Sequence, residues 1–298
     1  MAAFANVTPL RQQLQKENVN KGKEFQWLLH YDLPQDFNRL GEFIKISEQN
    51  LGVMNVIVED SEAKPENFKM TLPQKDLVKG IITINADSIT KADITVTRPS
   101  KVNPTQVSIG IRECWPLRLF QLRDATRFVN IALKSFEQTK GKLFKSGDEV
   151  CKIIDNFMNS LSQAETALIL PTIRHPAEIL NSESSVIPIM INMFDPPLPE
   201  DVLTDFYINR DQLIMKLYFF NLKSPNQASQ IQYKPGNTSL IGTTFINTQL
   251  SGAKVMYEIA HNMQVETCIP RLSNVLRSIS LALRLCQQMK DKVQASRT

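Results

Sequence analysis

Three histidines, four cysteines and scattered carboxylates are the side chains in this 298-residue chain that could hold a metal ion or move a proton. Glu258 and His261 stand at the E-x-x-H spacing with which a helix offers a carboxylate and an imidazole to one metal. A di-iron bundle needs two such pairs and further carboxylates; this pair stands alone, in a stretch whose period is that of a strand. His30 and His175 are scattered, far from that pair and from each other. Cys114, Cys151, Cys268 and Cys286 form no C-x-x-C pair, and each lies beside apolar residues, the pattern of buried free thiols in a reducing compartment. Neither H-E-x-x-H nor G-x-S-x-G occurs. "KGKLFKSGDE" (140–149) has the residue types of a phosphate-binding loop without their order, and ten glycines in all leave little room for close backbone approach to a nucleotide. The expectation is therefore a protein that is not an enzyme, with no catalytic, cofactor-binding or metal-ligating residue and no cofactor.

Charge points the same way. Thirty-four basic and thirty acidic residues are interspersed, leaving a net charge of +4 and no block that resembles a nucleic-acid arm. Lys134, Lys140, Lys142 and Lys145 cluster near a helix end. They read either as a contact for an acidic surface or, the simpler case, as a solvated face helped by the helix dipole.

The other pattern with functional weight is "VETCIPRLSNVLRSISLALRLCQQMKDKV" (265–293). Starting at Ile269, alternating steps of three and four reach Leu272, Leu276, Ile279, Leu283, Cys286, Lys290 and Val293, a heptad seam with one charged interruption. Val275, Ala282 and Met289 widen that seam, and Leu281 and Leu285 lie opposite. A two-stranded zipper would expose them, so an interior helix with several neighbours is favoured over a homodimeric zipper. A DNA-binding zipper also needs a basic helix running into the heptads, and "KVMYEIAHNMQVETC" is strand-like with one lysine. Leu276→Asp should then destabilise the fold itself.

Helical and strand periods occupy separate blocks. Phe25, Leu28 and Leu40 mark a first helix over 22–50 with a break at Pro34; Leu122, Val129 and Phe136 mark a second beginning at Pro116; Ile153, Phe157 and Leu161 mark a third behind the capping pair Ser146 and Glu149. Alternation predicts four strands between 66 and 111, then "DFYIN", "QLIMKLYFF", "LIGTTFIN" and "KVMYEIA", with "QLIMKLYFF" central because it is apolar on both faces. "RHPAEILNSESS", "DPPLPED" and "NQASQIQYKPGNTS" read as loops. Because helix stripes must be covered and strands must pair, the expected fold is α+β with two discontinuous domains. An antiparallel four-helix bundle takes 1–50, 113–190 and 264–298, and an antiparallel β domain takes 51–112 and 196–263. No run approaches the eighteen apolar residues of a membrane span, and the start lacks the pattern of a secretory signal, so a cytoplasmic chain without direct membrane insertion is expected.

Several collinear blocks together resemble the Rogdi family: "EFQWLLH" (24–30), "LVKGIITINADSITKADITV" (77–96), "QLRDATRFVNIA" (121–132), "FKSGDEVCKIIDNFM" (144–158), "LPEDVLTDFYIN" (198–209) and the 265–293 stretch. Arg271 stands where the family pattern leads one to expect an aromatic residue. The resemblance implies an elongated protein with a helical bundle domain and a β domain. It implies an adaptor or scaffold similar to the smaller subunit of the RAVE complex, with a rabconnectin-3-like β-propeller protein and vacuolar proton-pump subunits as partners, direct or through one another. With the heptad seam read as internal, a monomer outside the complex is expected; the resemblance further implies a chain held on acidic organelles or synaptic vesicles through its partners, or at the nuclear envelope. The alternative function is a homodimeric leucine-zipper interaction protein with a nuclear or synaptic regulatory role.

Overall fold

The structure is a computed structural model that describes residues 7–52, 65–72, 77–98, 105–112, 114–171, 173, 176, 193–223, 245–250 and 253–296. His175 and most of the loop passages at 172–195 and 223–250 lie outside the described residues. The fold is α+β, with helices and two antiparallel sheets. The chain divides into two compact units, one of residues 1–53, 124–167 and 273–298, the other of 54–123 and 168–272.

The first unit is helical. Helix α1 (Val7–Trp27) passes through a π turn (Leu28–Asp32) into α2 (Leu33–Leu51), a continuous helical stretch that begins well before the expected residue 22. The break predicted at Pro34 takes the form of that turn. Proline has no N–H and its ring crowds the carbonyl four residues back, so the turn widens and Leu33 N–H donates to the Leu28 carbonyl five residues away. Gly52, at φ 66°, ends α2 in the left-handed conformation, with its N–H on the Gln49 carbonyl at 3.3 Å.

Helix α3 (Phe120–Thr139) starts four residues later than Pro116, because Leu117–Arg118 form the short strand β5 described below. Helix α4 (Gly147–Ile169) begins at Ser146, whose Oγ accepts from Glu149 N–H at 3.3 Å, while the Glu149 carboxylate accepts from Lys145 N–H at 3.1 Å and meets Lys142 at 2.7 Å. Those donors hold the Glu149 carboxyl below its usual range. Helix α5 (Pro270–Ala295) opens on proline, which suits a first turn.

Packing inside this unit is specified residue by residue. The Phe37 ring stacks on Phe144 at 5.0 Å and meets Phe157 at 6.2 Å. Gly41 lies under Phe136: a Cβ there would come within 2.1 Å of the ring, so α2 and α3 approach as closely as they do only because that side chain is absent. Lys292 Nζ of α5 donates to Asp32 and Asp36 at 2.7 Å each, joining the last helix to the π turn and the start of α2.

The Asp36 side chain is only 6% exposed, and Lys292, with the more exposed Arg39 3.7 Å from the other oxygen, keeps that buried carboxylate compatible with folding. Burial alone would lower the pKa of Lys292, but its hydrogen bonds to Asp32 and Asp36 outweigh that and raise it. A raised lysine pKa contributes stability that is complete below the unfolded value, about 10.4, and is lost as pH climbs through the higher folded value. Lys292→Met should cost about 1–2 kcal/mol at neutral pH, less than the about 3–5 of a fully buried pair, because Lys292 is still 41% exposed and screened. Urea titrations of both proteins should converge at strongly alkaline pH.

The second unit carries the strands. β1 (Glu66–Thr71), β2 (Val78–Asn85), β3 (Ser88–Arg98) and β4 (Thr105–Ile111) form an antiparallel meander, with β5 (Leu117–Arg118) added to β3. β6 (Val202–Asn209), β7 (Gln212–Lys223), β8 (Phe245–Leu250) and β9 (Ala253–Cys268) form a second sheet in the order β6-β7-β9-β8. The strand predicted as central, "QLIMKLYFF", is β7, flanked on both edges. β9 runs to Cys268, beyond the expected boundary at 264. Arg98 ties the sheets together: it pairs with Asp201 and lies 5.5 Å over the Phe219 ring. Arg271 is also accounted for here. Its guanidinium is largely buried, donates to the Ala86 carbonyl at 2.8 Å and sits 3.7 Å from Glu66; burial lowers its pKa.

Candidate interaction surfaces

The residues with chemical potential are not brought together. His30 is exposed on the π turn and hydrogen-bonded to Gln26 at 3.0 Å. Glu258 and His261 lie on β9, beside a bulge opposite Phe219 and Phe220, and no group of three or more metal-ligating side chains occurs among the described residues. Cys114 and Cys268 are exposed, contrary to the expectation that all four thiols are buried; Cys151 is half-buried and Cys286 buried. Burial pushes the Cys286 thiol up to about 12. In a titration of the native chain with a thiol reagent, Cys114 and Cys268 should react fast, Cys151 more slowly, and Cys286 only in denaturant; fast labelling of Cys286 without denaturant would show an open α5 face.

The heptad of α5 is centred differently from its leucines. Ile269, Leu272, Ile279, Cys286 and Val293 are buried, and so are Val275, Ala282 and Met289, whereas Leu276 and Leu283 are half-buried and Lys290 pairs with Asp155 of α4 at 2.7 Å. The centre of the seam therefore runs through 275, 279, 282, 286, 289 and 293. Small side chains in the middle let neighbouring helices approach closely, and the leucines cover the flanks. On the other helices Leu28, Leu40, Leu122, Val129, Phe136, Phe157 and Leu161 are buried. Ile154 takes the core position expected of Ile153, which is half-buried like Phe25.

One surface was not marked by periodicity. From residue 12 to residue 24 every side chain of α1 is exposed, and the exposed face continues through Gln26, Trp27, His30 and Tyr31. Trp27 and Tyr31 are 58% and 64% exposed. Together with Val19, Gly22 and Lys23 these residues line an open groove of about 420 Å³ along the helix. At Gly22 an added Cβ would meet nothing within 4 Å. Glycine inside a helix costs about 1 kcal/mol relative to alanine, and no contact among the described residues requires it here. A sequence signal was available: residues 10–21 contain neither glycine nor proline and are rich in Gln, Lys, Glu and Asn, compatible with helix but without an apolar stripe.

The geometry defines an α+β protein whose helices bury their stripes within one unit and leave one helical face open. The chain belongs to the Rogdi leucine zipper containing protein family, whose model matches residues 24–294. It is 30% identical over 282 residues to the "Protein rogdi homolog" of Danio rerio, covering 94% of each chain, and 29% identical to that of Homo sapiens, covering 91% of this chain and 90% of the relative. A more distant relative in Schizosaccharomyces pombe, "Regulator of V-ATPase in vacuolar membrane protein 2", is 22% identical over 69% of this chain and 74% of its own length. Among the described residues no helix is long and apolar enough to cross a membrane.

Proposed function

We propose that this chain is a non-enzymatic adaptor subunit in a complex that regulates assembly of the vacuolar proton-pumping ATPase. The observation that carries this reading is the similarity to the fission-yeast regulator, which spans both the helical and the strand-bearing parts of the chain. Two features support it. The described apolar helix stripes are spent in internal packing, giving a firm body, and α1 presents a face to which nothing in the described chain is docked. In this reading the four helical segments form one antiparallel bundle closed by the two chain ends. The partners are a rabconnectin-3-like β-propeller protein and, directly or through it, pump subunits. The protein works as a peripheral component on acidic organelles. The homodimeric zipper reading draws on the α5 seam, which is already covered in the single chain.

The test is affinity capture of the full chain from an extract of its own cells, with organelle pH measured in cells lacking it. The proposal expects the propeller protein and pump subunits in the capture, and acidification that fails without the chain and returns with it. Capture of neither, with acidification unchanged, overturns it.

A further inference from the structure

We infer that the open face of α1 is a docking site for an acidic, amphipathic helix of a partner protein. This goes beyond the assignment to pump regulation and holds or fails independently of it.

Three observations converge on that occupant. Lys16, Lys23 and His30 recur every seven residues, two helical turns apart, so they form one basic row, exposed throughout. Trp27 and Tyr31, one turn apart, stand beside that row as large apolar anchors with a polar tip, the residue types that carry the energy of helix-in-groove contacts. Gly22, in the lining of the same groove, has open space where a side chain would stand and leaves the α1 backbone open to close approach.

The chemistry of the face selects among possible occupants. A lipid surface needs a broad apolar face to bury; between residues 12 and 24 the only exposed large hydrophobics are Leu14 and Val19. A second copy docked by the same face would set the basic row against its own like. A partner helix with an apolar seam reaches Trp27 and the open backbone at Gly22, and carboxylates along one flank meet Lys16, Lys23 and His30. Glu17 and Glu24 border the face on the other side, so the charge recognition has a direction and orients the partner.

The experiment uses the full chain and two synthetic helices, one with a leucine seam flanked by glutamates and one with lysines in their place, each labelled for fluorescence anisotropy at low salt. The glutamate helix should bind about tenfold or more tightly than the lysine helix. Trp27→Ala should weaken it by about tenfold or more. The double variant Lys16→Glu, Lys23→Glu should reverse the preference. Gly22→Ala should also weaken binding while leaving the urea midpoint of the chain unchanged or higher, a combination that a structural role for Gly22 would not produce. Equal binding of both helices, binding that survives Trp27→Ala, or no binding overturns the inference. So does co-sedimentation with phosphatidylserine vesicles that is lost in Trp27→Ala, which would assign the face to lipid. A dimer of the chain dissociated by Trp27→Ala also overturns it, assigning the face to a second copy.

Discussion

Ile279→Asp is expected to unfold the helical unit. The side chain is fully buried at the centre of the α5 seam, where an ionised carboxylate without a partner costs several kcal/mol against a total stability of about 5–15 kcal/mol for an ordinary domain. Far-UV circular dichroism in a urea series checks this directly. Leu276→Asp, on the half-buried flank, should lower the midpoint less, and Leu281→Asp, whose residue is 38% exposed, should move it little. The ordering of the three is the useful result. Equal sensitivity at 276 and 279 would mean that the leucines, rather than the valine and alanine positions beside them, form the centre of the seam.

Phe157→Ala should be nearly as damaging. The ring is fully buried in α4, packs 6.2 Å from Phe37, and through Phe37 supports the stacked Phe144 at the entry to the same helix. Truncating a buried phenylalanine removes its transfer free energy and leaves a cavity, together about 3–5 kcal/mol. The expected signature is a large drop in the urea midpoint with an unchanged slope, since the surface exposed on unfolding stays the same. Phe157→Leu, which refills much of the volume, should recover most of the loss; no recovery would indicate that the aromatic contact with Phe37 matters more than the filled space.

The parts of this fold that could be read from the residues are those where one physical demand dominates. Strands β1 to β4 alternate cleanly because one face is buried: Phe68 and Met70, Ile82 and Ile84, Ile94 and Val96, and Ile109 and Ile111 all fall on the covered side. β7 is apolar on both faces because both are covered: Leu213, Met215, Leu217 and Phe219 are buried on one side, Ile214, Tyr218 and Phe220 on the other. The α5 stripe was visible, but its centre was not. Two adjacent rows, Leu276–Leu283 and Val275–Ala282–Met289, satisfy nearly the same period, and only the distance to the neighbouring helices decides which row is central. Ile153, expected in the core, is half-buried for the same reason: Ile154 beside it satisfies nearly the same period and is the buried one. α1 was missed because from residue 12 to residue 24 it has no covered face. Its helicity is propagated from α2 through the π turn, so apolar periodicity, the usual signal, is absent where the helix stands alone. β5 is two residues long and depends on its pairing with β3, leaving nothing local to read.

The same distinction sets the functional reading. The leucine-rich helix that draws the eye as an interaction motif is occupied by the chain's own packing, and the open surface is a polar helix with two aromatic anchors. That account is tested most directly by sedimentation velocity of the purified chain at micromolar concentration. A single species with the mass of one chain, unchanged by Leu276→Ala and Leu283→Ala, is the predicted result. A dimer that those two substitutions dissociate would contradict it.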